Sequence, residues 1–228
     1  MELSEPLHNW NVSYERARKI QEDLAGCVKQ VPLPDDIKIV AGADMSFSKK
    51  AKKFFAGVVV MKYPEMEAIE EKSSVADAAI PYIPGLLTFR EGPAVISALE
   101  RIQHTPDVVI FDGQGIAHPR RMGLGAHLGL WLDMPTVGCA KSRLVGEYEM
   151  PGEEKGEWEP LYDEGERIGS VLRTRRSVKP VFVSPGHLCD HKGARELVLD
   201  CAIKYRLPEP TRQADHLVAR VKKKFLGQ

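Results

Sequence analysis

No stretch of this chain approaches the ~18 consecutive apolar residues of a membrane span, and the N-terminal MELSEPLHNWNVSYERARK lacks the apolar core of an export signal. The expectation is therefore a protein of the cytoplasm that does not touch the membrane. Cysteine is scarce and scattered: Cys27, Cys139, Cys189 and Cys201 form no CxxC pair, which argues against a zinc site or a disulfide framework. Net charge is lacking as well. With 32 basic and 32 acidic residues the chain is not a globally basic nucleic-acid binder, so any such role has to rest on local charge. Three basic clusters exist, at Lys49, Lys50, Lys52 and Lys53, at Arg173, Arg175 and Arg176, and at Lys222, Lys223 and Lys224. Each reads first as a solvated surface feature. There is no internal repeat and no low-complexity segment, and 228 residues are enough for one substantial core, so one domain spanning residues 1–228 is expected, as a monomer.

What is present centres on PDVVIFDGQGIAHPRR, Pro106 to Arg121. Val108, Val109, Ile110 and Phe111 form a continuous apolar run, the pattern of a strand buried on both faces. It ends on Asp112, followed by Gly113, Gln114 and Gly115 and then by His118, Arg120 and Arg121. A carboxylate at the mouth of a buried strand, a pinched loop and a cationic cluster suggest a metal beside a phosphate. An aspartate in this position equally caps the following turn with its own side chain, and the two readings stand side by side at this point.

Along the chain, Ala17, Ile20, Leu24 and Val28 recur at helical spacing and predict a helix within Ser13 to Val31, ended by Pro32 and Pro34. Ile37 to Ala43 reads as a strand running into Asp44, with Gly42 leaving room beside the carboxylate. Phe54 to Lys62 and Glu67 to Val75 add two strands and suggest an antiparallel meander. The proline-bracketed Pro81 to Pro93 leads into a helix starting near Arg90, which puts Glu91 in its first turn. Gly123 to Asp133 reads as a helix and Pro135 to Ala140 as a strand, a crossover that places this strand beside Val108 to Asp112. Glu147 to Glu166 looks like an acidic surface insertion; Gly169 to Thr174 and Pro180 to Ser184 are strands, and Ala194 to Tyr205 and Thr211 to Phe225 are closing helices. The fold class is α/β, a mixed central sheet flanked by helices.

Two strands thus end on aspartates, Asp44 and Asp112, and a helix between them in sequence carries Glu91. Hard oxygen ligands favour Mg²⁺ or Mn²⁺, which leaves coordination positions open to water and phosphate. Lys141, at the end of the next strand, and His118 are placed to neutralise or position a scissile phosphate. Taken alone, such acidic residues are also compatible with coincidence.

Five stretches resemble the endonuclease V family of deoxyinosine-specific repair nucleases: VAGADMSF (Val40 to Phe47), PYIPGLLTFRE (Pro81 to Glu91), DGQGIAHPRRMG (Asp112 to Gly123), GCAKSRL (Gly138 to Leu144) and YRLPEPTR (Tyr205 to Arg212). They run in family order over roughly residues 13 to 220 and are long and uncommon. The resemblance implies a ribonuclease H-like fold, dependence on Mg²⁺ with Mn²⁺ as a substitute, and cleavage of the second phosphodiester bond 3′ to a deaminated base, chiefly hypoxanthine, leaving 3′-hydroxyl and 5′-phosphate ends. By position it puts the metal carboxylates on Asp44, Glu91 and Asp112 and the catalytic lysine on Lys141. It puts a DNA wedge on Pro81, Tyr82, Ile83 and Pro84, and the pocket for an extruded base on Tyr82, Gly85, Leu87, Gly113 and His118. Two departures are visible. Gln114 stands where many relatives carry histidine, and is not expected to be essential; Gln213, Ala214, Asp215 and His216 stand where some relatives supply a histidine near the metal. Of these, Asp215 is the expected contributor, as the harder ligand, with His216 turned to solvent. The implied partner is DNA containing deaminated bases. The alternatives are a ribonuclease for inosine in single-stranded RNA and a nucleic-acid binding protein without chemistry.

Overall fold

The computed structural model describes residues 6–77 and 83–227. Eight strands form one mixed sheet: β1 (Ile39–Ser48), β2 (Lys53–Lys62), β3 (Ala68–Asp77), β4 (Val108–Phe111), β5 (Thr136–Ala140), β6 (Trp158–Asp163), β7 (Glu166–Leu172) and β8 (Val181–Pro185). Their spatial order is β3-β2-β1-β4-β5-β8-β7-β6. The meander β1–β2–β3 is antiparallel, the central pairs β1–β4 and β4–β5 are parallel, and β8, β7 and β6 return antiparallel.

Five helices cover the sheet: α1 (Tyr14–Ala25), α2 (Leu87–Leu99), α3 (Leu124–Leu132), α4 (His191–Cys201) and α5 (Glu209–Phe225). Period-two alternation sorts the central strands onto two cores. Ala41, Ala43, Val109 and Phe111 face α2 and α3, whereas Val40, Val108, Ile110, Val137 and Cys139 face α4 and α5. With both faces covered, these strands read as near-continuous apolar runs in the sequence.

The same alternation aims the polar residues beyond the cores. Asp44, Asp112 and Lys141 continue the series Val40, Ile110 and Cys139, so all three stand on the α5 side, where the parallel strands stop. α5 comes close to that side because Gly42 has no side chain. A Cβ at Gly42 would lie 2.0 Å from the carbonyl carbon of Pro210, so the expected room at Gly42 accommodates the first turn of α5.

Four expectations are corrected. The first helix stops at Ala25, before Gly26, and the amide of Lys29 goes instead to Nδ1 of His187 at 3.2 Å. β1 does not end near Asp44: β4 leaves it after Ala43, but β2 stays paired with it as far as Ser48. Glu91 is in the second turn of α2, because the helix begins at Leu87. The segment read as an acidic insertion contains β6, an edge strand that buries only Leu161 and so carries little hydrophobic signal.

Candidate active site

Asp44 projects from the point where β1 outruns β4, and Asp112 is the residue after β4, its amide donating to the carbonyl of Ala43 at 3.1 Å. Lys141 follows β5 and donates to Oδ2 of Asp112. The parallel pairing of three strands therefore delivers three groups from remote parts of the sequence to one end of the sheet's centre. The backbone of Lys141 is itself held, since Arg206 Nη2 donates to its carbonyl at 2.6 Å and to that of Pro180 at 2.7 Å. Gln114 Nε2 donates to the carbonyl of Ser142 at 3.0 Å.

Burial in company with Asp112 pushes the Asp44 carboxyl up to about 8, against a backbone hydrogen bond at Met45 and the charge of Lys141; Asp215 adds to the rise. Lys141 is held above its ordinary value although burial works the other way, because its hydrogen bond with Asp112 and the charges of Asp112, Asp44 and Asp215 outweigh that burial. One ammonium thus faces several carboxylates, an arrangement short of positive charge. A hard divalent cation would supply it, and the oxygen donors fit such an ion. Among the described residues no three His, Cys, Asp or Glu side chains are drawn close enough to enclose an ion by themselves, which leaves an open pair, Asp44 and Asp112, rather than a closed cage.

Asp215 is exposed on α5 and close enough to act electrostatically on both Asp44 and Lys141. His216 points elsewhere, its Nε2 lying 3.5 Å from Arg212 Nη1. Glu91 is not brought into this group. Burial pushes it up to about 7, and the charge acting on it is that of its neighbour Arg90.

Of the wedge, Pro81 and Tyr82 lie outside the described residues; Pro84 is exposed, and Ile83 packs partly against Ala17, Ile20, Leu86 and Phe89. Gly85 and His118 do meet: His118 Nε2 lies 3.1 Å from the Gly85 carbonyl, while its Nδ1 accepts from the amide of Arg120 at 3.2 Å. That pairing requires the neutral imidazole with the proton on Nε2, and burial together with Arg120 lowers its pKa to about 4. Leu87 is 37% exposed beside them, and Gly113 packs against Leu124.

His118 is therefore not the phosphate-neutralising group read from the sequence. The cationic cluster after it is committed too. Arg120 reaches Gln21 and the Gly85 carbonyl, both at 2.7 Å, and Arg121 pairs with Asp163 at 2.8 Å and Glu166 at 2.7 Å. The loop's position is set by main chain meeting main chain. A Cβ at Gly115 would lie 1.9 Å from the Pro185 carbonyl oxygen, and one at Gly138 would lie 2.1 Å from the Gly115 amide nitrogen. Sequence reading missed Arg206 and the bond from Gln114. The YRLPEPTR stretch was a signal for the first, and nothing local marks the second.

The family model described as Endonuclease V matches residues 22–216. The chain belongs to the endonuclease V family. It is similar to an endonuclease V of Methanothrix thermoacetophila, 51% identical over 91% of this chain and 92% of the relative. Among solved structures it resembles the endonuclease V of Streptomyces avermitilis, with 39% identity, a TM-score of 0.91 and coverage of 96% of each chain. It also resembles the Ciona intestinalis endonuclease V in complex with DNA containing an inosine followed by a ribo-adenosine, with 27% identity, a TM-score of 0.82 and coverage of 94% of this chain and 100% of that one. The mixed sheet flanked by helices is the ribonuclease H-like architecture expected from the family resemblance.

Proposed function

We propose that this protein is a DNA repair endonuclease that recognises deaminated bases, chiefly deoxyinosine, and hydrolyses the second phosphodiester bond 3′ to the lesion, leaving a 5′-phosphate. The observation that carries the reading is the convergence of Asp44, Asp112 and Lys141 at one end of the central strands in a chain of the endonuclease V family. The Ciona relative's complex with inosine-containing DNA supports the substrate class.

Asp44 and Asp112 would hold a divalent ion, Mg²⁺ or Mn²⁺, with Asp215 near it and Glu91 as the further carboxylate that binding would have to draw in. The ion would supply Lewis-acid polarisation of a phosphate oxygen and a more acidic bound water. Lys141, half-exposed beside Asp112, offers a cation to the negative charge that builds on the phosphate oxygens as the bond breaks. Arg206 keeps that lysine in place through its carbonyl. His118, neutral and bonded to the Gly85 carbonyl, shapes the floor on which an extruded base would rest, next to Leu87 and Gly113, with the Pro81 to Pro84 segment as the wedge.

The test compares deoxyinosine duplex, inosine-containing single-stranded RNA and undamaged duplex at equal salt with Mg²⁺. Cleavage confined to the deoxyinosine duplex supports the reading, and cutting of undamaged DNA at the same rate removes it. A ribonuclease acting at inosine is the second reading, favoured by the ribo-adenosine after the inosine in the Ciona complex. Faster cleavage of the RNA would establish it.

A further inference from the structure

Two lysine clusters far apart in sequence meet in space at the hairpin that extends β1 beyond Asp44. Lys49 and Lys50 stand exposed at the β1–β2 turn, and Lys223 and Lys224 stand exposed on the last turn of α5. The two elements are bound together. Lys222 Nζ donates to Ser46 Oγ at 3.0 Å and to the Phe47 carbonyl at 3.1 Å, and the rings of Phe55 and Phe225 meet edge to face at 5.3 Å. Lys53 is neutralised by Asp77 at 2.7 Å, but among the described residues Lys49, Lys50, Lys223 and Lys224 form no ion pair with a carboxylate. Between the clusters and the candidate active site lies a cavity of about 330 Å³ lined by Ser46, Asp215, Lys222 and Lys223. One wall of the basic surface is thus continuous with the residue that acts on Asp44 and Lys141.

The geometry points to a phosphate-backbone track on this edge, formed by Lys49 and Lys50 with Lys223 and Lys224, that holds the nucleic acid flanking the cut; this rests on the reading of the chain as a nucleic-acid endonuclease. Spacing supports it. Five residues of extended strand separate Asp44 from Lys49, about 16 Å, and eight helical residues separate Asp215 from Lys223, about 12 Å. At about 3.4 Å per nucleotide along one strand of a duplex, the lysines reach phosphates roughly three to five nucleotides from the reacting one. The track is made of flexible ammonium groups rather than planar guanidinium forks, so it contributes affinity and salt dependence without reading sequence. An anionic membrane surface would satisfy the same charges. The continuity with the acidic site favours a polymer that passes through that site.

The experiment uses the full chain and the variants Lys49→Gln/Lys50→Gln and Lys223→Gln/Lys224→Gln, all surface changes checked by thermal melt. Binding is measured against salt on three inosine-containing duplexes: one long on both sides of the lesion, and two that end about two nucleotides past the cut on one side or the other. The expected result on the long duplex is a log–log salt slope flatter by about 2 for each variant, with the turnover rate at saturation unchanged. The difference from wild type should vanish on one of the two truncated duplexes. Equal slopes for variants and wild type on the long duplex, or a difference that survives both truncations, overturns the track. So does a loss seen only on anionic vesicles. If the wild type cuts none of the duplexes, the endonuclease reading fails, and the slopes on uncut duplex still decide the track.

Discussion

Lys141 donates a hydrogen bond to Asp112 from the end of the adjacent parallel strand, and its carbonyl is held in turn by Arg206. The ammonium is thereby fixed beside the carboxylate before any substrate arrives. Replacing Lys141 by Ala is expected to lower the single-turnover cleavage rate by about 10²–10³-fold, the usual cost of losing one preorganised charge-stabilising donor. Binding to inosine-containing duplex should change far less. Single-turnover rates and binding curves measured on the same substrate check both halves.

Asp44→Asn and Asp112→Asn should each abolish metal-dependent cleavage while leaving substantial duplex binding, because phosphate contacts are spread over many cations and the two carboxylates are not. Near-normal cleavage by both variants would remove the metal-site assignment.

Asp215 acts on Asp44 and Lys141, and His216 lies against Arg212. Asp215→Ala is therefore expected to raise the Mg²⁺ concentration for half-maximal cleavage, with His216→Ala near wild type. A metal titration in which the histidine variant is the impaired one reverses the roles.

Gln114 gains a part that the sequence did not give it, through its bond to the Ser142 carbonyl beside Lys141. Gln114→Ala should slow cleavage by about 2- to 10-fold, the worth of one neutral hydrogen bond, with KM unchanged. A full loss of activity in a folded variant, or none at all, contradicts this placement.

Two neutral histidines, His118 buried and His191 half-buried, weigh against the fold in acid. His118 and His191 are both lowered to about 4, chiefly by burial and then by the nearby charges of Arg120 and Arg167. Below the ordinary histidine value of about 6.5 the unfolded chain takes up protons that the folded chain refuses. Stability present above that value is accordingly lost as the pH falls toward 4. The raised Asp44 and Glu91 carboxyls work in the opposite direction across this window, so the histidine contribution is read as a difference: between pH 6.5 and 4 the melting temperature of His191→Gln should fall less, or rise more, than that of the wild type. Wild type and His191→Gln shifting identically between pH 6.5 and 4 would contradict the lowered His191.

Much of this architecture is written locally. Val108 to Phe111, buried on both faces, and the crossover through α3 are legible because continuous apolar runs and helical periodicity come directly from burial. The convergence of Asp112 and Lys141 follows from that crossover. β6 was hidden because it fully buries only Leu161 and so shows no alternation, and Glu153 to Glu159, which run into it, look like solvent-facing chain. The fates of Arg120, Arg121 and His118 were hidden for another reason. Their partners Gln21, Asp163, Glu166 and the Gly85 carbonyl come from other elements, and no local pattern tells a committed cation from a free one.

The glycine contacts under the DGQG loop bear on how the molecule breathes. The amide of Gly115 goes to Ser184 Oγ and that of Ile116 to the Pro185 carbonyl, both at 2.8 Å, while Gly123 and Gly125 return to the carbonyls of Gly115 and Gln114 at 2.9 Å. With backbone seated directly on backbone at Gly115 and Gly138, rotation of the Ser184 hydroxyl alone would not release the loop. These amides should exchange with solvent deuterium only as slowly as whole-molecule unfolding allows, in one cooperative unit with β5 and β8. The residues around Asp112 would then open with the centre of the sheet or not at all.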